Sequence, residues 1–179
     1  MIRVLGLAIL TAGCIDRPIA AVNEACREQM AEIVYHHACQ HGRIGPYEPV
    51  VAVATRAASP PVINAAQRVL AIELPRPDPD ERSYMRLVPS RDGHHAVFAG
   101  ADYQGIAVAL FDADRPVAPT PIEPPDPTRC GGMVEVVGFE LAIGRDYLVE
   151  LGPSTAPAVQ MFVEHLGTFN EDWSDRCVD

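Results

Sequence analysis

Apolar positions change their period twice along this chain. Met1 to Gly13 holds one Arg and then an almost unbroken apolar run that ends in small residues. From Val22 to His41 the spacing is helical, with Val22, Cys26, Met30, Ile33, Val34 and His37 falling on a common face. Asn23 is placed as the N-cap and Gly42 as the residue that stops the helix. From Val50 onward the period is two. Leu70, Ile72 and Leu74 alternate with polar or small neighbours, as do Ile106, Val108 and Leu110. The pattern predicts a helix over 22–41 and strands over 50–55, 68–74, 84–88, 94–99, 106–110, 134–141, 147–151 and 159–164. Turn signals separate them, including Ala57-Ala58-Ser59-Pro60-Pro61, Ser90-Arg91-Asp92-Gly93 and Ala142-Ile143-Gly144-Arg145. A Pro- and acid-rich loop fills 117–132, and Glu171 to Asp179 is an acidic tail. Short strands at this spacing predict a mainly β fold, a single jelly-roll-like β-sandwich with a short N-terminal helix.

Composition narrows this picture. A chain of 179 residues with 48% hydrophobic side chains can bury one full core. The 13 Gly and 17 Pro punctuate strands rather than a helical bundle. The net charge is −10 and no basic patch stands out, so no nucleic-acid partner is expected.

The leader sets the expected compartment. Met1 to Gly13 is too short to span a membrane and reads as a signal peptide. Thr11-Ala12-Gly13 directly precedes Cys14, which resembles the lipobox of bacterial lipoproteins, with Leu10 or Thr11 in the upstream apolar slot. That resemblance implies cleavage before Cys14 and lipidation of Cys14. A plain secretory signal with an incidental cysteine is the alternative. The expected organisation is a signal peptide over 1–13, a lipidated tether over 14–21 and a sandwich domain with its helical segment over 22–179. The membrane is then a partner through the lipid anchor, in the periplasm or outer membrane of a bacterial envelope.

Cys26, Cys39, Cys130 and Cys177 remain, an even number in an oxidising compartment. The favoured pairing is Cys39–Cys130 with Cys26–Cys177. The first bridge closes a loop of about 90 residues, worth on the order of 4 kcal/mol in the chain-entropy model. The rival reading makes Cys39 a metal-binding thiolate beside His41.

Candidate chemistry concentrates in His36-His37-Ala38-Cys39-Gln40-His41. His37 and His41 lie four apart and share a helix face, a spacing that suits one metal ion. Glu164 or His165, at the end of the last strand, would supply a third ligand to Zn or Cu. Only one of His94 and His95 could join, because neighbours on a strand point to opposite faces. Asp102, Asp112 and Asp114 are read as turn formers rather than a calcium site. Trp173, Tyr47 and Tyr103 are the few aromatics placed to stack on a sugar. Gly-x-Ser-x-Gly, His-Glu-x-x-His and phosphate-binding glycine loops do not occur.

Two resemblances extend the reading. Tyr84-Met85-Arg86-Leu87, Val97-Phe98, Ile106 to Asp112 and above all Phe139 to Leu151 resemble pre-peptidase C-terminal-type β-sandwich domains. That likeness covers about half the chain and implies a non-catalytic adhesion or accessory module. Ala38-Cys39-x-His41-x-x-x-Gly45-Pro46, followed by a Val-Ala-Val strand, resembles a group of uncharacterised bacterial exported proteins. In that group a second histidine opens the next strand and an acidic residue closes the last. Here the matching strand opens near Gln67, without that histidine. The expected function is a non-enzymatic envelope lipoprotein that binds a transition metal through its histidines. The alternative is a structural or adhesion module with a protein or glycan partner.

Overall fold

The computed structural model describes residues 35–64, 68–75, 78, 80–101, 104–120, 122, 130 and 132–166. The leader, Cys14, Asn23, the Cys26–Cys177 pairing, Gln67, Asp102, Tyr103 and Trp173 lie outside the described residues. Among the described residues the chain forms ten strands. They are β1 (Tyr47–Val51), β2 (Val62–Asn64), β3 (Val69–Glu73), β4 (Ser83–Val88), β5 (Gly93–Gly100), β6 (Val108–Asp112), β7 (Arg115–Pro116), β8 (Glu135–Leu141), β9 (Tyr147–Leu151) and β10 (Ala158–His165). One five-stranded sheet has the order β1-β3-β10-β5-β8 and the other β2-β4-β9-β6-β7. The β1–β3 and β2–β4 pairs are parallel and the rest antiparallel. The expected mainly β sandwich with a short N-terminal helix is the observed fold.

The core between the sheets is built from alternate positions of both. Ile72, Val97, Met161 and Val163 from the first sheet meet Met85, Leu110, Val149 and Leu151 from the second. The opposite parity of the first sheet is buried too. Val69, Ala96, Phe98, Val136 and Phe162 pack with Ala38, Cys39, Cys130, Met133 and Leu166 in a second apolar cluster. A helix over 35–44 and the chain around Cys130–Met133 therefore cover the outer face of this sheet. Covering on both faces explains why β5 reads as a nearly continuous apolar run and is buried from Ala96 to Gly100.

The structure departs from the expected pattern at Gly42, at β1, which opens at Tyr47, at β6, which runs from Val108 to Asp112, and at β2 and β7, which were not expected. Gly42 does not end the helix. It is buried inside it, where a Cβ would run into Met133 and the Cys130 carbonyl. The helix continues to residue 44, and Gly45 turns the chain out with φ of 79°. Strand β2 follows Pro60-Pro61 without an alternating signal of its own, and forms because it pairs with β4. Cys39 and Cys130, separated by 91 residues, are joined in the favoured disulfide, which removes the thiolate reading of Cys39.

Candidate functional site

Helical spacing and strand parity together assemble the histidine site. His37 and His41 lie one turn apart on the helix flank, over β10. Phe162 and Glu164, two apart on β10, share the sheet face that looks toward the helix. The His41 ring stacks on Phe162 with centroids 5.0 Å apart and planes 18° from parallel. His37 meets His41 edge to face at 4.6 Å.

Each imidazole is held from behind through Nδ1. His37 Nδ1 donates to Glu164 Oε2 at 2.9 Å. His41 Nδ1 donates to the Gly45 carbonyl at 3.0 Å, and the Gly45 amide returns a bond of 2.8 Å to the His41 carbonyl. The left-handed turn at Gly45 thus aims an acceptor at the last histidine of the helix. A carbonyl or carboxylate oxygen only accepts, so both Nδ1 atoms carry their protons. In the neutral tautomers this fixes, both Nε2 atoms present lone pairs. Those two atoms face each other at 3.1 Å. Two lone pairs at that separation repel, and the contact becomes favourable when a proton or a metal cation lies between them.

The expected ligands are placed as follows. His37, His41 and Glu164 come together, but Glu164 takes the role of carboxylate behind an imidazole rather than of a third donor beside the Nε2 pair. His165 does not join. One residue on from Glu164, it faces the other side of the sheet and lies opposite His95, with ring centroids 4.8 Å apart. Its Nε2 donates to the Asp92 carbonyl at 2.8 Å. His95 Nδ1 donates to the Gly93 carbonyl at 2.8 Å. Burial pushes the His95 imidazole down to about 4, against the raising effect of that carbonyl bond. His94 pairs with Thr120 Oγ1 at 2.6 Å, and burial lowers its pKa as well. Asp112 is ion-paired with Arg145, and Tyr47 donates its hydroxyl to the Gly42 carbonyl at 2.9 Å. Among the described residues, no set of three His, Cys, Asp or Glu side chains is arranged to hold one ion. Sequence reasoning missed Phe162 and the Gly45 carbonyl. Gly45-Pro46 just beyond His41 was the available signal for the latter.

No family model matches the chain, and no curated protein matches it. Among solved structures, a β-glucosidase from Kluyveromyces marxianus in complex with glucose is similar over 54% of this chain, at 18% identity and a TM-score of 0.34. A selenomethionine-labelled structure of a Kluyveromyces marxianus β-glucosidase is similar over 55%, at 16% identity and a TM-score of 0.31. The chain spans 11% and 13% of the length of those two chains.

Proposed function

We propose that this protein is a non-enzymatic bacterial envelope lipoprotein that binds a transition metal at His37 and His41. The observation that carries the reading is the Nε2–Nε2 contact of 3.1 Å between two imidazoles whose Nδ1 atoms are both committed to acceptors. Backing acceptors of this kind set the tautomer and raise the basicity of a ligating imidazole. The Cys39–Cys130 bridge fits an exported protein in an oxidising compartment. The lipidated Cys14 and the anchor belong to the same reading and rest on the leader. The test is metal content of the oxidised protein, purified without a histidine tag, beside its His41→Ala variant. Near-stoichiometric Zn or Cu that disappears in the variant supports the reading. No uptake of either ion by the parent protein, even after incubation, removes it.

A second reading, a module that binds a protein or glycan partner, is supported by a different observation. Ile44 is 70% exposed and Val51 60%, and Val51 lies on β1 at the edge of its sheet. It predicts that an Ile44→Ser/Val51→Ser variant loses surface attachment while its metal content is unchanged.

A further inference from the structure

We infer that the His37–His41 pair is an open chelate for one exchangeable divalent ion, Cu²⁺ ahead of Zn²⁺, whose remaining coordination positions are filled by a small ligand bringing its own nitrogen or oxygen donors. This rests on the metal reading above and adds the ion class and the way the ion is carried.

The bite of the pair decides the geometry. With metal–nitrogen bonds of about 2.0–2.1 Å, a tetrahedral ion spaces two ligands about 3.3 Å apart, and cis positions of a tetragonal ion lie about 2.9 Å apart. A linear two-coordinate ion would need about 4 Å. The observed 3.1 Å falls between the two bent arrangements and is far from the linear one. Neither bent geometry is imposed by the protein, so the intrinsic order of divalent ions governs, and Cu²⁺ outranks Zn²⁺ at imidazole nitrogen. The soft donor that would shift the preference is removed, because Cys39 is tied to Cys130.

The openness of the site follows from its neighbours. Glu164 is engaged at the back of His37, and no third His, Cys, Asp or Glu side chain among the described residues converges on the pair. The His37 side chain is 39% exposed, so the pair has one side open to solvent. Closed structural metal sites use four protein ligands. A site with two donors and an exposed side holds its ion loosely and offers positions to an incoming donor such as an imidazole or an amino-acid chelate. The net charge of −10 favours the approach of cations over the whole surface.

The experiment uses the full oxidised chain without a tag, titrated with Cu²⁺ and with Zn²⁺, followed by electron paramagnetic resonance of the copper form before and after adding free imidazole. One equivalent of Cu²⁺ is expected, held at least tenfold tighter than Zn²⁺, with two protein imidazoles in the spectrum and further nitrogen on adding imidazole. Glu164→Gln should weaken Cu²⁺ by about 10–100-fold. His37→Gln, at a partly exposed position on the helix flank, should abolish this equivalent with the thermal midpoint retained. One equivalent lost in His37→Gln, but showing three or four protein donors and no response to imidazole, overturns the open chelate and leaves the metal reading standing. So does Zn²⁺ binding tighter than Cu²⁺. Failure of the parent chain to take up either ion overturns both.

Discussion

His95 shows how a single side chain ties this fold to pH. It sits at the edge of the inter-sheet core, 1% exposed, and burial drops its pKa from 6.5 to about 4. Above pH 6.5 neither the folded nor the unfolded chain protonates it. As pH falls from 6.5 toward 4, the unfolded chain binds a proton that the folded chain refuses, so stability declines; below about 4 the loss levels off. The full loss is roughly 3 kcal/mol. Denaturant midpoints between pH 7 and pH 4 should fall in the parent and fall less in His95→Asn. Equal slopes would show that His95 is not the group responsible. Cys39 and Cys130 act at the same scale without titrating. Replacing both by Ala should cost on the order of 4 kcal/mol in urea unfolding, as expected for opening a loop of this length. An unchanged midpoint under oxidising conditions would mean the bridge adds nothing to stability. The residues of the histidine site were legible in unequal measure. The spacing of His37 and His41 could be read directly, because helical periodicity is local. Whether Glu164 or His165 faced them could not, since parity on β10 is set by the register against β5 and β3.

At the scale of elements, the helix over 35–44 depends on what it covers. A helix this short is marginal alone in water, and its stability comes from packing. Tyr35 meets Phe98 edge to face at 5.7 Å, His41 stacks on Phe162, and Gly42 lets the backbone approach Met133. Phe162 is fully buried and belongs at once to the sheet, the second apolar cluster and the floor of the histidine site. Phe162→Ala should therefore cost about 3–5 kcal/mol. Phe162→Leu should keep the fold while weakening metal uptake, because the surface that orients His41 is lost. Normal uptake in the Leu variant, measured beside the parent, would mean the stacking does not position the ring. Strands β3, β4, β5, β8, β9 and β10 stand within a residue or so of their expected limits, since alternation and turn residues mark them locally. Strand β1 opens earlier than expected and β2 was not foreseen. Both are edge strands in parallel pairs, held by a neighbour distant in sequence rather than by a hairpin. The helix end was misplaced for a related reason. Gly42 looked like a stop signal, but its lack of a Cβ serves packing against the Cys130 region.

For the whole molecule, the proposed anchor and the surface charge act against each other, which makes the anchor testable. Among the described residues no helix is long and apolar enough to cross a membrane. The chain carries 14 basic residues against 24 acidic ones, giving a net charge of −10. An anionic bilayer attracts basic clusters and repels a surface of this sign. Membrane attachment then rests on the acyl chains proposed at Cys14, each buried CH₂ contributing about 0.8 kcal/mol. No electrostatic attraction remains to compensate for their loss. Cys14→Ser should move the protein completely from the membrane fraction to the soluble fraction, rather than partly as in proteins with a basic second signal. Since Cys14 precedes the whole sandwich, the soluble variant should keep the disulfide between Cys39 and Cys130 and take up metal like the parent. Fractionation at two salt concentrations checks this. Retention of Cys14→Ser in the membrane fraction at both would remove the lipid anchor from the proposal. Release at high salt only would assign attachment to a charged partner in the envelope.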